Sequence, residues 1–217
     1  MRERLNGRRL WSRGPLLLLL LVLTSTFAGC NFFGGVFSDV AGQPVSSQYS
    51  GMNKKSILIL VYTDSSTEFL YPQARKEVAS FVGFEIRKHL PKSKLLHSSA
   101  VIAYQDETPG WDALPVKTIG KHFGVDRVLY IELVHYHTHS PGARHLMRGH
   151  IEAHIAVYNT HLPGSGRVFS TQINTYWPKS GPEPVFHTDS NAVLYNTLQR
   201  FSRSVVRCFY PWTAHPE

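Results

Sequence analysis

Ile119-Gly120-Lys121-His122-Phe123-Gly124-Val125-Asp126-Arg127-Val128-Leu129-Tyr130-Ile131-Glu132-Leu133 changes period in the middle. Upstream of Gly124, Val116, Ile119 and Phe123 fall on one helical stripe, which predicts a short helix from Pro115 to Phe123. Gly124 stands where a helix ends in a left-handed residue. Downstream the apolar positions alternate, which predicts a strand over Asp126 to His139. A short helix that turns directly into a strand is one unit of an α/β fold.

Two more strands follow, Arg148 to Thr160 and Arg167 to Trp177. They are separated by Ser140-Pro141-Gly142-Ala143-Arg144 and by His161-Leu162-Pro163-Gly164-Ser165-Gly166. Breaks of that composition make hairpins, so the three strands form an antiparallel meander. A Pro/Gly-rich loop, Pro178 to Pro184, leads to a helix over Asp189 to Phe209. Val193, Leu194, Leu198, Phe201, Val205 and Cys208 make up its apolar face.

Upstream, Ser56-Ile57-Leu58-Ile59-Leu60-Val61-Tyr62 is a near-continuous apolar run, the pattern of a central strand covered on both faces. Pro72 to Leu90 carries Ala74, Val78, Val82, Ile86 and Leu90 every four residues and reads as an amphipathic helix. Lys94 to Tyr104, with Ala100-Val101-Ile102-Ala103-Tyr104, reads as a further strand. The order is β-α-β-α-β-β-β-α: one α/β domain with a mixed sheet over residues 55–210, a length that buries a core without staples. Residues 211–217 form a tail.

The amino terminus has a different logic. Arg2, Arg4, Arg8, Arg9 and Arg13 precede the apolar stretch Leu16 to Leu23, which is too short to span a bilayer comfortably; Thr24-Ser25-Thr26-Phe27-Ala28-Gly29-Cys30 follows. That is the layout of an export signal over residues 1–29. Phe27-Ala28-Gly29-Cys30 resembles the lipobox of bacterial lipoproteins, in which the signal is cut before the cysteine and the thiol is acylated. The resemblance implies lipidation at Cys30, with membrane attachment through acyl chains on the periplasmic side. Asn31 in place of an aspartate favours the outer membrane. Two other readings stay open: ordinary cleavage after Ala28, and an uncleaved anchor. Residues 30–54, rich in Gly, Ser and Gln without a hydrophobic period, read as a tether.

Composition narrows the function classes. The whole chain carries 23 Lys+Arg against 15 Asp+Glu, net +8. The first 29 residues hold five Arg and one Glu, so from Cys30 onward 18 basic side chains face 14 acidic ones and the net charge is +4. Half of the basicity belongs to the signal. No Lys/Arg run interleaves with aromatics, so nucleic acid is not an expected partner. The two cysteines are Cys30 and Cys208. With Cys30 acylated, Cys208 is left alone on an apolar helical face, without disulfide or paired-thiol chemistry.

Twelve histidines are present, and His135, His137, His139, His145, His150, His154 and His161 crowd into one region. His135, His137, His150 and His154 facing one another would make a zinc or copper site. Strand parity argues against it. Leu129, Ile131 and Leu133 share parity with His135 and His137, whereas Ile151, Ile155 and Val157 oppose His150 and His154. Aligning the apolar faces puts the two histidine sets on opposite sides of the sheet. No cofactor is expected on this reading.

Asp64 and Glu68 follow the first strand, where open α/β sheets often bind ligands. Capping and turn hydrogen bonds account for Thr63-Asp64-Ser65-Ser66-Thr67-Glu68 equally. No Gly-rich phosphate loop or Gly-x-Ser-x-Gly elbow occurs. Trp111, Trp177 and Trp212 read as core or rim packing.

The Ile119–Leu133 pattern, with a hairpin whose second strand includes Ile151 to Asn159 and with the opening strand and helix, resembles the domain shared by three groups. These are the curli-secretion-channel lipoproteins, the penicillin-binding-protein activator lipoproteins and the amino-terminal domain of TolB. The late strands lack the lipid-facing ribbons of a pore. The resemblance implies a non-enzymatic, lipid-anchored domain that docks on an envelope partner or on itself. A periplasmic metal-binding protein that uses the histidine-rich hairpin is the alternative.

Overall fold

A computed structural model describes residues 42–140, 142–185 and 189–215, so Cys30 and the export signal lie outside the described residues. The chain divides into two units. Of the smaller, residues 42–45 and 213–215 are described; β1 (Gln43–Val45) pairs there with β8 (Trp212–Ala214).

The larger unit, Ser46–Trp212, is one α/β domain. In chain order it contains β2 (Ser56–Tyr62), α1 (Ser65–Leu70), α2 (Ala74–His89), β3 (Lys94–Leu95), α3 (Ser98–Glu107), a 3₁₀ turn (Trp111–Ala113) and α4 (Val116–His122). Next come β4 (Arg127–Ser140), β5 (Ala143–Asn159), β6 (Arg167–Trp177), β7 (Glu183–Pro184) and α5 (Ser190–Arg207). The sheet order is β3-β2-β4-β5-β6, with β7 beside β5. β2 runs parallel to both β3 and β4, while β4, β5 and β6 form an antiparallel meander. The sheet is therefore mixed, as the alternation of elements predicts.

β2 is central and buried on both faces. Ile57, Ile59 and Val61 enter a core with Val78, Val82 and Ile86 of α2 and with Leu198, Phe201 and Val205 of α5. Leu58 and Leu60 pack on the other side with Val101, Ile119 and Val125. This two-sided cover explains why β2 is apolar throughout. Gly124 adopts φ +63°, the left-handed conformation required after α4. Asp126 then latches the strands: its Oδ2 accepts the Ser56 N–H at 2.9 Å and the Ser56 hydroxyl at 2.8 Å. The larger unit starts at Ser46, whereas the sequence reading started the domain at residue 55. Tyr49 donates its N–H to the Cys208 carbonyl, and Met52 is fully buried.

One element is of a different type from the sequence reading. The strand expected over Lys94 to Tyr104 is a two-residue strand followed by the helix α3. Val101 and Gln105, four apart, are that helix's buried residues, and the Gln105 amide donates to the Val61 carbonyl at 2.9 Å. Short apolar runs do not separate a strand from a buried helix face by periodicity. Here burial at i and i+4 prevails.

Candidate functional site

β4 carries an irregularity that rearranges the histidines. Leu133 pairs with Ala153, but the next pair is His135 with Glu152, so Val134 is the extra residue of a β-bulge. Before the bulge, odd-numbered residues face α2 and α5; after it, Tyr136 and Thr138 are the buried positions. His135 and His137 are thereby turned onto the face opposite the helices. The expected separation of the histidines is corrected: His137 pairs directly with His150. A parity switch was visible in the sequence, because a strict alternation would bury three histidines and expose Tyr136. Pairing register alone does not reveal a bulge.

The result is a polar constellation on the sheet face. His150 Nδ1 lies 3.2 Å from His137 Nε2, and His150 Nε2 lies 3.1 Å from Asn174 Oδ1. The His135 ring centre is 5.1 Å from that of His150 and 6.3 Å from that of His137. Tyr176 stacks on His150 at 4.2 Å and 10°, and the Arg148 guanidinium lies 4.5 Å from the centre of the Tyr176 ring. Glu152 accepts from the amides of Gln172 and Asn174. His154 shares this face but pairs with Glu132 and Gln172. It stands four residues, about 14 Å, along β5 from His150 and does not join the group.

The hydrogen bonds determine which ring nitrogen of His150 carries its proton. Glu152 is a pure acceptor, so the Asn174 NH₂ must face it, leaving Asn174 Oδ1 toward His150 Nε2. His150 is therefore protonated at Nε2, and its Nδ1 lone pair points at His137. His137 in turn donates from Nε2, which leaves its Nδ1 buried without a hydrogen-bond partner. Burial, reinforced by the neighbouring imidazoles, holds both His137 and His150 below the usual histidine range. Among the described residues no group of three His, Cys, Asp or Glu side chains is arranged to hold a metal ion.

The acids after β2 take up local duties. Asp64 caps α1, accepting the Thr67 N–H at 2.6 Å and the Ser66 hydroxyl at 3.0 Å. Those bonds, the Thr67 N–H first, hold its carboxyl below the ordinary range. Glu68 pairs with Arg75 at 2.7 Å, and Arg75 also holds Asp106 at 2.9 Å. Glu68 and Arg75 line a cleft of about 410 Å³ with Thr63, Gln105 and Trp111. Cys208 is buried, and burial pushes its thiol up, away from reactivity. Trp111 meets Tyr62 edge-on, and Trp212 receives the Arg207 guanidinium at 4.1 Å.

The fold and these sites define a mixed-sheet α/β domain with a histidine-bearing face. No protein-family model matches the chain, and no curated protein sequence matches it. Several solved structures align with much of the chain. The PelC dodecamer from Paraburkholderia phytofirmans aligns over 77% of this chain and 97% of that chain, with 8% identity and a TM-score of 0.44. The hypothetical protein CT253 from Chlamydia trachomatis aligns over 70% of this chain and 93% of that one, with 14% identity and a TM-score of 0.45. Lipoprotein GNA1162 from Neisseria meningitidis aligns over 70% and 94%, with 15% identity and a TM-score of 0.38. At this level of likeness no function passes from them to this chain. Among the described residues no helix is long and apolar enough to cross a membrane.

Proposed function

We propose that this chain is a lipid-anchored protein of the bacterial cell envelope, acylated at Cys30, whose α/β domain binds another envelope protein or a second copy of itself without catalysis. One observation carries the reading: an arginine-rich start, a short apolar stretch and Phe27-Ala28-Gly29-Cys30 in succession. Two or more acyl chains, at about 0.8 kcal/mol per buried methylene, hold a protein persistently on a membrane where one does not. The outer membrane is the proposed location, because no aspartate follows Cys30.

The domain supports a binding role over chemistry. Asp64 and Glu68 are engaged in capping and ion pairing, and the thiol of Cys208 is buried. Phe69, Leu70, Phe84 and Tyr195 are large apolar side chains left at the surface of α1, α2 and α5. Intact mass spectrometry of protein made in a bacterial host tests the anchor: the expected mass is that of a chain starting at Cys30 plus hydrocarbon. A different terminus, or an unmodified thiol, overturns it. Crosslinking in the native membrane tests the partner, with one reproducible envelope protein or a self-adduct expected and no adduct opposing the reading.

A further inference from the structure

We propose that His137 and His150 form a two-imidazole binding site for a divalent first-row transition-metal ion of the copper, nickel or zinc type. The two nitrogens that face each other, Nε2 of His137 and Nδ1 of His150, are 3.2 Å apart. Two imidazoles bound at the usual metal–nitrogen distance, as neighbouring ligands of a tetrahedral or square-planar ion, have their nitrogens about 2.9–3.4 Å apart. The pair is set at that separation by the β4–β5 register that the bulge at Val134 produces.

The surroundings do what outer partners of a metal-binding histidine do. Nε2–H of His150 donates to Asn174 Oδ1, and Asn174 is itself held by Glu152, so the lone pair of Nδ1 is directed at the site. Tyr176 stacked on the ring restrains its tilt. Binding replaces the His137 Nε2–H···Nδ1 His150 hydrogen bond and moves the His137 proton to its Nδ1, with no proton lost from the protein. The pair leaves further coordination positions to water or to a donor brought by a partner, and His135 is the nearest additional imidazole. The site does not depend on where the chain is anchored.

The test uses the full chain, acylated and in detergent, titrated calorimetrically with copper(II), nickel(II) and zinc(II) salts at pH 7.5. Saturable binding of one ion per chain is expected, tightest for copper(II) in keeping with the general affinity order. His137→Gln and His150→Gln should each weaken it at least tenfold, with near-UV circular dichroism confirming the fold. Asn174→Leu keeps both imidazoles and should weaken binding by about tenfold through loss of orientation. His145→Ala, on the exposed start of β5, should leave it unchanged. Absence of one-to-one binding, or binding that survives the His137→Gln/His150→Gln double variant, overturns the proposal.

Discussion

The Tyr136 hydroxyl donates to Glu77 Oε2 at 2.6 Å, tying β4 to α2 three residues after Leu133, where the strand has changed face. Tyr136 is buried and meets Tyr71 edge-on at 5.2 Å. Burial first, and the Glu77 bond second, push its hydroxyl far above the usual tyrosine range. This contact makes the bulge favourable: an aromatic side chain with a satisfied hydroxyl fills the core where regular pairing would place His135 or His137. Tyr136→Phe removes a hydrogen bond to a charged acceptor and should cost about 1–2 kcal/mol in urea unfolding. A stability equal to that of the parent would show that the bond is not what holds the bulge.

Gly149 lies on β5 under α5, where an added Cβ would fall on the Thr197 hydroxyl and within 3.1 Å of Val193 Cγ1. Thr197 is fully buried, and its hydroxyl is committed to the Val193 carbonyl at 2.7 Å. Gly149→Ala therefore forces the helix away from the sheet and should destabilise the domain by about 1–3 kcal/mol. Adding Thr197→Ala should recover part of the loss. A Gly149→Ala protein that melts with the parent would show that α5 yields freely here.

Asp126 connects pH to the β2–β4 latch. Its bonds from the Ser56 N–H and hydroxyl, with His161 Nε2 at 3.0 Å, hold the carboxyl well below the usual aspartate range. A carboxyl lowered by folding contributes stability that is complete above its unfolded value, near pH 4, and is lost as pH falls below it. Asp126→Asn should lower the melting temperature at pH 7 and flatten the acid limb of the stability curve below pH 4. A variant as acid-sensitive as the parent would place the sensitivity elsewhere.

The histidine pair adds a second acid dependence at higher pH. Both imidazoles are lowered by folding, so the unfolded chain takes up protons first, and stability falls as pH drops through the ordinary histidine value, about 6.5. In the His137→Gln/His150→Gln double variant, melting curves across pH 8 to 5 should show a shallower decline. An unchanged slope would mean that neither ring changes its proton affinity on folding.

Much of the architecture is decided locally and is legible in the chain. The Ser56–Tyr62 run is apolar because helices cover both of its faces, and α2 and α5 announce themselves by spacings of three and four. Gly124 and Asp126 mark the helix-to-strand turn, since a left-handed residue there suits glycine best. The Arg-rich start, the Leu16–Leu23 stretch and Cys30 are likewise a property of sequence alone, with no tertiary contact needed to read them.

Tertiary structure decided two things that the chain left ambiguous. Residues 98–107 are helical because packing beside β2 selects the i, i+4 pair Val101 and Gln105, a choice that a short apolar run does not encode by itself. The histidine face exists because one unpaired residue, Val134, reverses inside and outside for the rest of β4. Which residue is left unpaired depends on the partner strand and on the hydroxyl contact at Glu77, both distant in sequence. Side-chain alternation is local, but the register that gives it meaning is not.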